Sequence, residues 1–436
     1  MFVGDDKWGL RTSITAIGGL SFSLAIARVD YTWVLMSIFY ILLMHSILKL
    51  KADPTEKERL GSYKKRIFIW SLPPLLMGST GITGDWEAAF LVEIFAFTAL
   101  ASVFAVILLL IIEKRTELRS NIFFSGVFVY SFPIAIGAAR AVAFFLSDQF
   151  YGTEYFLGNT HFMLELMLIT ILSFYLGFAF KNYLKNSEYN IFFGRNEKME
   201  MKSSFEGHRE DFLDFLNSIF NRFDRSGLIR VSTGFQWGMY GVIIYGLIVS
   251  NHPVTVWAIF SFGFSIIPAV VSRSTKNGFP AILYFWSTLA LFVFTVGRPL
   301  GFYSLFRWWA EITHFLSGSA VALLLFSILM YVDEISRNLS LPSWSIPVFV
   351  LLFILPVGVV WEIAEFYIDL VYDSGVQGGL VDTAYDILFN FFGAGFSLLT
   401  ISFFSTMDFS TAYRAKVLKV LNWLKSESNK ILRLIR

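Results

Sequence analysis

The chain has no cysteine, which excludes disulfides, thiolate metal ligands and a cysteine nucleophile. Charge is scarce too: Asp, Glu, Lys and Arg make up 16% of the residues, where a soluble domain carries about a quarter. The net charge of +2 gives no footing for a nucleic-acid partner. Also missing are a Gly-rich P-loop, a His-Glu-x-x-His pair and a dinucleotide fingerprint, so ATP coupling from within this chain is not expected. The remainder is apolar, with 56% hydrophobic and 18% aromatic residues. Those are the proportions of a chain that lives in lipid.

Apolar runs of membrane length fall at about 12–28, 31–50, 67–83, 88–112, 122–146 and 159–182. A second set falls at about 232–250, 254–272, 279–297, 309–332, 345–368 and 382–405. The pattern predicts an all-α, polytopic helical membrane protein with about twelve spans. It divides into a six-span half (1–182), a charged linker (183–230), a second six-span half (231–405) and a basic tail (406–436). "AIA" at 25–27 loosely resembles a leader-cleavage site, but "GDDK" ahead of it is no basic n-region, so an uncleaved first span is expected. Lys and Arg crowd "KADPTEKERLGSYKKR", "EKRTELRS", the linker, "SRSTK" and the tail, whereas the alternate loops are poor in them. By the positive-inside rule both termini are then cytoplasmic, in the cell membrane. Arg298 and Arg307 depart from the trend by falling outside.

The halves look duplicated. Trp86 and Trp309, Pro133 and Pro356, and Thr160 and Thr383 occupy matching places in their spans, each pair separated by one and the same offset. An even number of spans per unit gives a parallel 6+6 repeat. The halves differ in chemistry, because Ala139 and Val142 stand where the second half has Glu362 and Glu365. The first half keeps Arg140, His161 and Glu165 near that face.

Ionisable residues gather in the last three spans. One opens with Glu311 and His314, the next closes with Glu362, Glu365 and Asp369, and the last opens with Asp382, Asp386 and Asn390. Their i, i+3, i+4 and i+7 spacings put each set on one helix face. At about 1.5 Å per residue the three sets reach similar depths, so they can converge. Asp369 reads as the solvated end of its span. So many carboxylates around one imidazole need protons, the two arginines or a bound cation to coexist. His314, Glu365 and Asp386, with Glu311 and Asp382 beside them, suit a divalent metal such as Zn²⁺, Mn²⁺ or Mg²⁺. His45, His208 and His252 lack partners at ligand spacing and read as structural.

"AEITHF", "WEIAE" and "GGLVDTAYDILFNFFGAG" together resemble the YjdF family of small bacterial inner-membrane proteins, over about 232–405. In that pattern an acid-x-x-His opens one span, Glu-x-x-Glu closes the next and Asp-Thr-x-x-Asp opens the last. Here Glu311 stands where that family usually has Asp. The end of the last span, with Asp386, Asn390, Gly393 and Gly395, is also similar to VanZ-like proteins, which implies an envelope or lipid-linked substrate.

The leading expectation is a metal-dependent hydrolase or transferase acting on a lipid-linked phosphate or ester. Glu362 would be its general base, and Arg298 or Arg307 would receive the phosphate. The alternatives are a cation- or proton-coupled transporter or flippase, and a non-catalytic scaffold that binds lipid or a partner. Residues 210–223 read as an amphipathic helix on the inner surface. The tail reads as a basic amphipathic helix on anionic lipid or as a short coiled coil joining two copies.

Overall fold

A computed structural model describes residues 6–50, 57–81, 86–153, 155, 158–186, 225–274, 281–306, 308–336, 339–342, 344–372 and 377–404. The amphipathic segment 210–223, the tail 406–436 and Arg307 lie outside the described residues.

A backbone in lipid finds no water to bond, so each apolar run must close its hydrogen bonds within itself. Thirteen helices and no strand occur among the described residues. The first half contributes α1 (Asp6–Ala27), α2 (Tyr31–Leu48), α3 (Lys57–Thr80), α4 (Trp86–Arg115), α5 (Ile122–Tyr151) and α6 (Asn159–Asn186). The second contributes α7 (Arg225–Ile248), α8 (His252–Ser274), α9 (Ala281–Gly297), the single turn α10 (Phe302–Leu305), α11 (Trp309–Ile335), α12 (Ser345–Tyr372) and α13 (Leu380–Phe404). Eight of these (α1, α2, α4, α5, α6, α11, α12 and α13) are long and apolar enough to cross a membrane. Helices α8 and α9 carry shorter apolar stretches, His252–Ile267 and Leu283–Gly297. The protein is thus an all-helical polytopic membrane protein.

Local chemistry sets several helix ends. Asp30 caps α2 by accepting the Trp33 N–H at 3.2 Å, and Asn121 caps α5 by accepting the Phe124 N–H at 2.8 Å. Gly152, at φ +64°, ends α5 in the left-handed conformation that favours glycine. Pro133 and Pro356 sit inside α5 and α12, a placement that membrane helices tolerate.

The two halves share a packing scheme. Within each, the first two helices form a hairpin (α1 with α2, α7 with α8), and the third packs on both (α3, α9). The fourth (α4, α11) then packs on the third, the fifth and the sixth. The halves meet through α5 on α12, flanked by α5 on α13 and α6 on α12. At one end of this seam Arg119 and Ser340 exchange two backbone hydrogen bonds, of 2.9 and 2.8 Å, as an isolated antiparallel bridge. At the other end Asn159 and Gln377 pair amide to amide at 2.8 and 3.2 Å. One apolar core runs through both halves, while α7 and α8 meet in a small separate cluster of Val242, Val254 and Ala258.

Candidate functional site

Helices α11 and α13 approach most closely, and glycine is the reason. A Cβ on Gly318 would strike the Asn390 backbone, and one on Gly393 would strike the Phe315 carbonyl. Small residues let helix backbones touch, which is how packing replaces hydrophobic attraction in lipid. The Ser319 and Ser397 hydroxyls then bond across the seam, and the Trp286 indole N–H donates to Ser319 at 2.7 Å. This clamp sets the rotation of both helices and turns His314 and Asp386 toward each other. His314 Nε2 stands 3.4 Å from Asp386 Oδ2, and His314 Nδ1 stands 4.0 Å from Glu362 Oε1. On the remaining side the Asn390 amide lies 3.1 Å from Nδ1.

Glu362 is 0% exposed, Asp386 1% and Glu365 6%. Both carboxylate oxygens of Glu362, Oδ1 of Asp386 and Oε2 of Glu311 are buried without a hydrogen-bond partner. Such groups cost several kcal/mol each if left uncompensated, on the order of the penalty for a buried ion. His314, Glu362 and Glu365 each offer a ligand atom within 4.8 Å of the others.

Among the described residues, one arginine faces the cluster. Arg298 follows α9 and acts electrostatically on Glu365. Its guanidinium carbon lies 5.5 Å from the Tyr303 ring centroid, and its Nε is buried and unpartnered. Gly297 lets α9 press against the Tyr303 and Trp309 rings. Burial pushes the Tyr303 phenol above its ordinary range, so it remains a protonated donor, close to Thr313.

Of the residues expected at the site, His314, Glu362, Glu365 and Asp386 come together, with Arg298 and Glu311 beside them. Two further acids bond the backbone of 377–378, and Asp382 still acts electrostatically on Glu362, Glu365 and Asp386. Asp369 accepts the Gln377 N–H at 3.2 Å, and Asp382 accepts the Gly378 N–H at 3.0 Å. Asp369, expected as a solvated span end, is partly buried with a backbone partner, and Asp382, expected beside a metal, has a backbone partner too. Tyr303 and Thr313 went unrecognised, since a tyrosine in the aromatic stretch "GFYSLFRWW" carries no signal of its own. Asn390 was legible as the third member of a stripe and as part of the VanZ-like resemblance, not as a partner of His314.

The matching region of the first half is balanced from within the chain. Arg140 pairs with Glu165 and lies over the Phe97 and Phe144 rings at 4.9 and 5.4 Å. Glu93 and Asp30 add to the field around it. His161 rests on the Phe90 ring at 4.2 Å between centroids.

A bundle of apolar helices around a sunken carboxylate–imidazole cluster defines the class: a multi-pass membrane protein with an intramembrane polar site. Residues 233–407, which contain the whole cluster, match the family model described as "Predicted membrane protein (DUF2238)", the family that takes in YjdF-like proteins. The VanZ-like likeness remains a resemblance of the last span alone. No curated protein and no solved structure matches the chain.

Proposed function

We propose that the second half binds a divalent cation (Zn²⁺, Mn²⁺ or Mg²⁺) and uses it to hydrolyse or transfer a lipid-linked phosphate or ester. The observation that carries this reading is the pair of buried carboxylates beside the His314 imidazole, Glu362 with both oxygens unpartnered and Asp386 with Oδ2 facing Nε2 and Oδ1 unpartnered. Burial removes water, Arg298 supplies a guanidinium, and the ligand chemistry is that of hard divalent ions. His314, Glu362, Glu365 and Asp386 would hold the cation. Glu362, expected as a general base, joins the ligand set because it offers a ligand atom within 4.8 Å of those of His314 and Glu365. Glu311 then takes the proton of the attacking water, and Arg298 receives the phosphate, with Tyr303 as a further donor. The cation, when bound, would polarise the phosphoryl or acyl oxygen and acidify water.

The setting we infer is the cell membrane, with twelve spans, both termini cytoplasmic and the site near the outer interface, where a membrane lipid could enter. Twelve long helices in the expected order support the span count. The duplication is supported by the seam, because α5 on α13 and α6 on α12 are the two contacts that a pseudo-twofold axis through α5 and α12 would exchange. The ionisable side chains within α12 and α13 lie at one end, which favours a site over a conduit.

The test is metal analysis of purified protein beside Glu362→Gln, Glu365→Gln and Asp386→Asn, with release of phosphate from vesicles containing phosphatidic acid or a polyprenyl phosphate. Stoichiometric metal in the wild type, lost with turnover in the variants, is expected. A metal-free wild type whose lipid processing the variants leave unchanged would overturn the reading.

A further inference from the structure

We propose that Asn390 selects the tautomer of His314, and that rotation of its amide accompanies cation loading. This rests on the cation reading of the site given above.

Asn390 is built into place. It is 7% exposed, its backbone is pinned against Gly318, and Gly358 of α12 leaves room for its amide. A Cβ at Gly358 would stand 3.2 Å from Nδ2. Among the described residues the amide addresses His314 Nδ1, at 3.1 Å. A neutral imidazole has one donor nitrogen and one acceptor, and whatever holds one decides the other.

With the amide nitrogen toward Nδ1, as placed, Nδ1 accepts and the ring proton sits on Nε2, facing Asp386 Oδ2 across 3.4 Å. With the amide turned by half a rotation, its oxygen accepts the Nδ1 proton, and the Nε2 lone pair faces the carboxylate. Two such lone pairs repel unless a cation lies between them. Two donor atoms on one ion, each about 2.1 Å away in a tetrahedral arrangement, stand about 3.4 Å apart, which is the separation of Nε2 and Oδ2. The change conserves protons: Nε2 releases one to water and Nδ1 gains one. Asn390 is thus a positioning residue that acts through His314.

The experiment is ¹⁵N NMR of histidine-labelled full-length protein in detergent, in chelator and in Zn²⁺, alongside Zn²⁺ titrations. The chain has 5 histidines, and His314→Gln assigns the relevant signal. Wild type is expected as the Nε2–H tautomer in chelator and Nδ1–H in Zn²⁺. Asn390→Asp, which can accept but not donate, is expected as Nδ1–H in both, with Zn²⁺ affinity no weaker than wild type. Asn390→Leu, which holds neither form, is expected to bind Zn²⁺ roughly 10- to 100-fold more weakly. Wild-type affinity in Asn390→Leu would overturn the assignment. So would the same tautomer in wild type and Asn390→Asp in chelator, a comparison that decides the role of Asn390 even if Zn²⁺ fails to bind.

Discussion

Replacing Glu362 by Gln should make the protein more stable without a divalent cation and less stable with one. The ligand oxygens of Glu362 and Glu365 lie within 4.8 Å of each other. Two charges at that distance repel by about 3.5 kcal/mol at an effective dielectric constant near 20. Both are buried, so water screens little of this. Gln keeps the shape of Glu and removes the charge, so in chelator the variant should gain about 1–3 kcal/mol, part of the repulsion being relieved in the wild type by protonation and relaxation. In the wild type, a cation at a hundred times its dissociation constant adds about 2.7 kcal/mol by mass action. The variant forfeits most of that gain. Unfolding of wild type and Glu362→Gln in lipid nanodiscs, in chelator and in saturating Mn²⁺, should therefore give curves whose order reverses between the two conditions. A variant that is less stable in chelator and gains as much as wild type from Mn²⁺ would refute the reasoning, since Glu362 would then be neither a repelling charge nor a ligand.

Gly393→Ala should destabilise by about 1–3 kcal/mol or more, because its Cβ meets the backbone of α11. Gly395→Ala, with nothing within 4 Å, should be near neutral, and thermal melts of the two variants decide. Arg140→Gln strands Glu165 beside it and should cost about 3–5 kcal/mol, while Arg140→Gln with Glu165→Gln should recover most of the loss. A double-mutant cycle measures the coupling. Asp382→Asn keeps an acceptor for the Gly378 N–H and should change cation affinity by less than about threefold, whereas Asp386→Asn should weaken it by about tenfold or more. Parallel titrations separate the two.

The helices were legible because lipid leaves an apolar segment no other way to satisfy its backbone. The expected runs 31–50 and 279–297 correspond closely to α2 (Tyr31–Leu48) and α9 (Ala281–Gly297). Elsewhere helices outrun the hydrophobic stretch. Helix α4 extends to Arg115, since Lys114 and Arg115 suit a helix C-terminus. The turn α10 was not expected, because four residues in an aromatic loop have no period to read. Glu113 escaped notice as well: it reads as a charge of a basic loop, yet it is 5% exposed and accepts the Ser120 N–H at 2.6 Å.

What the sequence determined by itself was the all-helical membrane class, the presence of acids and a histidine at matched depth in the last three spans, and the lack of a matching pair of acids at Ala139 and Val142 in the first half. Spacing along a helix sets which side chains share a face, and the rise per residue sets how deep they lie. Neither says where that face points. The tertiary structure decided that, through the glycine contacts at Gly318 and Gly393, which bring α11 and α13 together and aim His314 at Asp386 and Asn390. It also separated acids that look alike in sequence. Asp369 and Asp382 each give an oxygen to a backbone N–H of 377–378, while both oxygens of Glu362 and Oδ1 of Asp386 stay buried and unpartnered, since only the packing of one helix on the next determines which carboxylates reach a donor.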